Sequence, residues 1–102
     1  MSSTSATHAA NTPLTATDLS RLRWRSRRGL LENDLLMERF FSRHASMLTE
    51  HHRQGLEVLL DLSDNDLLDY LLGRASPPQA WPTAAQDVLT MMRPTPADHN
   101  VL

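Results

Sequence analysis

The chain has 102 residues, with ten basic side chains, twelve acidic ones, no cysteine and a formal net charge of −2. One domain of this size leaves little volume for an internal active-site cavity, and the overall charge is that of neither a polyanion binder nor a polyanion mimic. The absence of cysteine excludes disulfide and thiolate chemistry, and no stretch approaches the ~18 apolar residues of a membrane span, so no membrane insertion is expected.

Residues 1–16 are rich in Ser, Thr and Ala and too poor in apolar side chains to offset their ordering entropy, which predicts a disordered tail. They lack the basic and apolar regions of a secretory signal. A cytoplasmic location is the expectation. The mitochondrial matrix is a second reading, disfavoured because no Arg precedes Arg21.

Residues 17–93 read as one helical domain, followed by a flexible tail over 94–102. Thr17 or Asp18 can cap a first helix. At 100° per residue Leu19, Leu22 and Ser26 share one face, with Arg21, Trp24, Arg25 and Arg28 roughly opposite. Gly29 is a natural C-terminal stop, since glycine enters the left-handed conformation without steric cost. A second helix carries Leu30, Leu31, Leu35, Leu36, Met37, Phe40, Phe41, Met47 and Leu48 at a spacing close to 3.6, which predicts the spine of the core. Thr49 caps a third helix, burying Leu56, Leu59 and Leu60, with Gly55 admitting a close neighbour. Ser63 and Asp66 form a capping-box-like start for a fourth helix, with Leu67, Leu68, Leu71 and Leu72 as its stripe and Gly73 at its end. The proline-rich loop 74–82 leads to a fifth helix over about 82–92, burying Ala85, Val88, Leu89 and Met92, with Trp81 packed at its start. No alternation of strand type is present, and the fold class is all-α, a compact bundle of about five short helices.

Chemistry-bearing constellations are sparse. His51 and His52 are adjacent and point about 100° apart on a helix, so both do not easily ligate one ion; His52 shares a face with Leu56 and Leu59, which predicts a structural role. There is no Gly-x-Ser-x-Gly and no glycine-rich phosphate loop, so an enzyme is not expected. Five of the ten basic residues, all arginines, fall within 21–28 around Trp24. This cluster reads as a solvated face, as a nucleic-acid contact in which Arg neutralises phosphate and indole stacks on bases, or as a protein interface, where Arg and Trp are enriched. Trp24 and Arg28, four apart just before Gly29, favour the last. Glu32 lies one helical turn beyond Arg28 and can pair with it.

The run Trp24-Arg25-Ser26-Arg27-Arg28-Gly29-Leu30-Leu31-Glu32, followed by Asp34, Leu36 and Phe40, resembles the succinate dehydrogenase flavinylation factors, marked by Arg-Gly-x-x-Glu. This family comprises the bacterial FAD assembly factors and their mitochondrial relatives. A second block, Leu59-Leu60-Asp61 and then Asp64 through Gly73, is similar to the family's Asp-x-Asp-Leu, aromatic-Leu-x-Gly region. The likeness spans about 21–92, departing at the Ser-Pro-Pro loop after Gly73. The resemblance implies a non-enzymatic helical chaperone that binds the flavoprotein subunit of succinate dehydrogenase, and in bacteria often that of fumarate reductase. It promotes covalent attachment of FAD to a histidine of that subunit. Carried over by position, Arg28, Gly29 and Glu32 form the docking motif, and Trp24, Arg25 and Arg27 its basic flank. No catalytic residue, metal site or tightly bound cofactor of its own is expected, FAD being carried by the client, and no nucleic acid is expected as a partner. A small nucleic-acid-associated regulator using the basic face of 21–28 is the alternative.

Overall fold

A computed structural model describes residues 11–94. The chain forms five α-helices: α1 Ala16–Ser26, α2 Leu31–His44, α3 Glu50–Leu60, α4 Asp64–Leu71 and α5 Thr83–Met92. A 3₁₀ turn, Ala45–Met47, follows α2. There is no strand among the described residues, and an isolated bridge joins Pro13 to Thr49. The all-α expectation holds.

The start of α1 lies upstream of the expected cap. Thr15, not Thr17 or Asp18, is the N-cap: its Oγ1 accepts the Asp18 N–H at 3.1 Å. Its own N–H donates to the Asp18 carboxylate at 3.2 Å, completing a reciprocal capping box. That hydrogen bond holds the Asp18 carboxyl below its ordinary pKa. Order begins earlier than composition predicts. The Leu14 N–H donates to the Leu48 carbonyl at 3.0 Å and the Glu50 N–H to the Thr12 carbonyl at 2.9 Å, while Leu14 itself is buried. Of the tails expected over 1–16 and 94–102, residues 1–10 and 95–102 lie outside the described residues.

Helix α2 supplies the centre of the core through Leu36, Met37, Phe40 and Phe41, with the two phenylalanine rings edge-to-face at 5.3 Å. Two expectations for it fail. The helix ends at His44, so Met47 and Leu48 belong to the turn and its exit, and Met47 is exposed. Leu31 and Leu35 are exposed as well, because the core covers only one side of the helix.

Helices α3 and α5 are the most extensively packed pair, and Gly55 is the reason they can approach. A Cβ at Gly55 would stand 2.2 Å from the Ala84 carbonyl oxygen and 2.8 Å from Val88 Cγ2. Buried Leu56 and Leu59 meet Val88, Leu89 and Met92 in the same core. The remaining boundaries follow their sequence signals. Ser63 Oγ accepts the Asp66 N–H at 3.2 Å. Gly73, at φ +76°, lets its own N–H reach the Tyr70 carbonyl and lets the Arg74 N–H reach that of Asp69, which is the Schellman arrangement. Trp81 packs on Tyr70 at 4.8 Å before α5.

Candidate functional site

The segment Arg27-Arg28-Gly29-Leu30 that joins α1 to α2 is held from behind and open in front. Helix α1 ends at Ser26 with Arg27 as its C-cap, two residues before Gly29, so the glycine is not the helix stop that the sequence suggests. It is instead the apex of the connection, at φ +99°. Beyond its two chain neighbours, no atom stands within 4 Å of where its Cβ would be. The Asp34 carboxylate reaches back from the first turns of α2 and accepts the Arg28 N–H at 3.1 Å and the Gly29 N–H at 3.2 Å.

Arg28 points inward. Its guanidinium donates to the Leu60 carbonyl at 2.8 Å and to the Leu62 carbonyl, and lies 3.0 Å from the Asp64 carboxylate. A cation at the carbonyl end of α3 also complements that helix dipole. Buried Asn33 adds a parallel tie by donating to the Asp64 carbonyl at 2.9 Å. The expected Arg28–Glu32 pair therefore does not form, and Arg28 does not share a face with Trp24.

The other members divide. Trp24 is 77% exposed and borders a shallow hollow with Ser20, Arg23 and Arg27. Arg23 and Arg27 both pair with Glu38 of α2, and Arg23 lies over the Phe41 ring; these pairs, Arg23 first, hold the Glu38 carboxyl below its ordinary pKa. Arg25 faces elsewhere, pairing with Glu57 of α3 at 2.8 Å. The structure thus brings Trp24 and Arg27 to one hollow, ties Arg27 to Glu38, and leaves Arg25 on the neighbouring face. Glu32 is exposed on α2, with no ion pair or hydrogen bond from its carboxylate among the described residues. It borders a hollow with Leu31, Leu35, Leu36 and Leu72.

Sequence reasoning missed Asp34, Leu35 and Leu72. One signal for Leu35 was present: positions 30, 31, 35, 36 and 37 cover more of the helix circumference than one core-facing stripe requires.

A wider hollow, about 400 Å³, mixes Arg21, Arg25 and Arg53 with Asp18, Glu50 and Glu57. Two of its three arginines are already paired with those glutamates, so a pyrophosphate there would compete with carboxylates for its donors. No group of three or more His, Cys, Asp or Glu side chains that could hold a metal ion exists among the described residues. No helix among them is long and apolar enough to cross a membrane.

Fold and surface together define a small helical protein whose distinctive exposed feature is a braced glycine turn. Residues 20–96 match the sequence model described as flavinator of succinate dehydrogenase, and the chain belongs to that family. It is 47% identical over 75 residues to the FAD assembly factor SdhE of Ralstonia nicotianae, covering 72% of this chain and 79% of the relative. The protein of the same description from Coxiella burnetii is 40% identical over 67 residues, covering 66% and 78%. The one from Legionella pneumophila strain Paris is 40% identical over 58 residues, covering 57% and 73%. No solved structure matches the chain.

Proposed function

We propose that this protein is an assembly factor that binds the flavoprotein subunit of succinate dehydrogenase and promotes covalent attachment of FAD to a histidine of that subunit. Family membership supports the class. The observation that carries the docking site is the Gly29 turn: exposed, bare of side chain, at positive φ, and braced by Arg28 and Asp34. A backbone presented this way admits close approach by a partner surface without rearrangement of its own.

In this reading Gly29, Trp24, Arg27 and Glu32 meet the partner, Arg25 contributes from the adjoining face, and Arg28 is a positioning residue that sets the turn. The factor is non-enzymatic. FAD is carried by the partner, and the factor's contribution is to hold the partner so that its histidine and flavin are aligned, an effect of orientation. Fumarate reductase, built around a flavoprotein of the same kind, is a second client. The cytoplasm is the proposed site of action.

The nucleic-acid alternative is less well supported, since Arg23, Arg25, Arg27 and Arg28 are paired with carboxylates of the same chain and offer phosphate less uncompensated charge. The test is covalent flavin in the succinate dehydrogenase flavoprotein, read as fluorescence that survives denaturing electrophoresis. Cells lacking this gene, or carrying Gly29→Arg, should lose the signal at equal flavoprotein level. Unchanged flavinylation in both would overturn the proposal.

A further inference from the structure

Five large apolar side chains are exposed among the described residues, and three of them, Leu31, Leu35 and Leu72, border a single hollow. Leu31 and Leu35 are one turn apart on the outer side of α2, at 65% and 46% exposure, and Leu72, at 39%, is the residue that caps α4. Buried Leu36 also lines the hollow, and Glu32 stands at its rim. Exposed leucines scattered singly need no explanation, whereas a cluster around a concavity marks a binding surface.

We infer that this hollow receives one apolar side chain of the flavoprotein partner, with a lysine or arginine beside it engaging Glu32. The inference rests on the docking reading above and extends it beyond the Arg-Gly-x-x-Glu motif to Leu35 and Leu72. Size argues for a side chain: the hollow encloses about 260 Å³, below the roughly 300–1,000 Å³ of sites that take whole small molecules. Charge argues for the cation. The Glu32 carboxylate has no partner among the described residues, and a lone carboxylate at an apolar rim repels phosphate and attracts Lys or Arg. The same charge disfavours a second copy of this chain, because a two-fold contact would bring two Glu32 side chains together. Position argues for continuity. A second hollow, lined by Arg27, Asp34, Leu35 and Glu38, shares Leu35 with this one and shares Arg27 with the Trp24 surface. One strip therefore runs from Trp24 past the Gly29 turn to Leu72. The strip carries apolar side chains at both ends, Trp24 and the leucine hollow, with Arg27, Asp34 and Glu38 between them, a mixture of apolar and polar surface such as protein interfaces show.

The test is titration calorimetry of the full chain into purified succinate dehydrogenase flavoprotein lacking covalent flavin. Leu35→Gln and Leu72→Gln should each raise Kd by about tenfold, the cost of no longer burying a leucine on binding, with melting curves that match the parent. Met47→Gln, which removes an equally exposed apolar side chain outside the hollow, should bind as the parent does. Glu32→Gln should weaken binding and flatten its dependence on salt. The inference is overturned if the two leucine variants bind like the parent, if they melt early and so prove to be core residues, or if Met47→Gln weakens binding as much. Sedimentation of the free chain should show a monomer; a dimer dispersed by Leu35→Gln would assign the hollow to a second copy and overturn it too. Gly29→Arg separates the two readings. Binding lost in that variant but kept in the leucine variants leaves the docking surface standing without the hollow, and no binding by the parent removes both.

Discussion

Arg28 donates to the carbonyl oxygen of Leu60 at 2.8 Å across 32 residues of chain, so the arginine of the Arg-Gly-x-x-Glu motif faces the protein while its glycine faces out. The same guanidinium serves the Leu62 carbonyl and the Asp64 carboxylate, and so fastens the turn to the end of α3 and the start of α4. The motif is a bracket and a contact, in that order.

The first prediction concerns that bracket. Arg28→Ala leaves two carbonyls without their donor and the Asp64 carboxylate without its counter-charge, and should destabilise the fold by about 1.5–3 kcal/mol, the range for hydrogen bonds to charged groups. Arg28→Lys should recover only part of it, because a single ammonium cannot match the guanidinium fork. Urea unfolding checks both, and an unchanged midpoint for Arg28→Ala would show the contacts to be incidental.

Gly29 should behave differently. Its φ of +99° strains any L side chain, so Gly29→Ala should cost about 1–2 kcal/mol. There is free space at the Cβ position, so no steric clash adds to that figure. Since Gly29 lies in neither flanking helix, helical content by far-UV circular dichroism should not change, even in Gly29→Arg. A fall in helicity would mean that the glycine terminates α1 in solution.

Much of the fold was legible because its signals are local. The caps at Thr49 and Ser63, the stop at Gly73 and the small residue at Gly55 are written within a few residues of where they act. Thr15 was equally legible, since Thr15 and Asp18 stand three apart as a capping box requires, but the Ser/Thr-rich composition around it masked the signal. The site was harder to read. A helical projection placed Arg28 beside Trp24 by extending α1 past Ser26, whereas the helix stops and the Arg28 side chain finds acceptors 32 and 34 residues away. No periodicity encodes a partner at that separation. Leu31 and Leu35 were assigned to the core for the same reason, because spacing identifies an apolar face without saying whether this chain or another covers it.

Gly55 should be among the least tolerant positions in the body. Gly55→Ala places a methyl group 2.2 Å from the Ala84 carbonyl oxygen and 2.6 Å from its carbon, contacts with backbone that no side-chain rotation relieves. Separating α3 from α5 should cost at least about 1–3 kcal/mol, the ordinary range for overpacking, despite the better helix propensity of Ala. A melting temperature equal to the parent's would show that the two helices slide freely.

The last prediction is a pH dependence carried by His52. The Thr49 N–H donates to His52 Nδ1 at 2.9 Å, and Thr49 Oγ1 lies 3.1 Å from the same nitrogen, so the neutral ring with Nδ1 unprotonated closes the first turn of α3. Burial lowers the His52 pKa below its ordinary 6.5, and the neighbouring His51 and His44 push the same way against a smaller opposing pull from Asp87. With the folded pKa below the unfolded one, the unfolded chain binds more protons in between, and stability rises with pH there. His52 should contribute its full stabilisation above about pH 6.5 and lose it progressively as pH falls through the folded-state pKa. His52→Gln keeps an acceptor at the third helical position, the residue type that a capping box uses, but cannot titrate. Urea midpoints measured from neutral to mildly acidic pH should therefore fall less steeply for His52→Gln than for the parent. Parallel profiles would place the acid sensitivity outside His52.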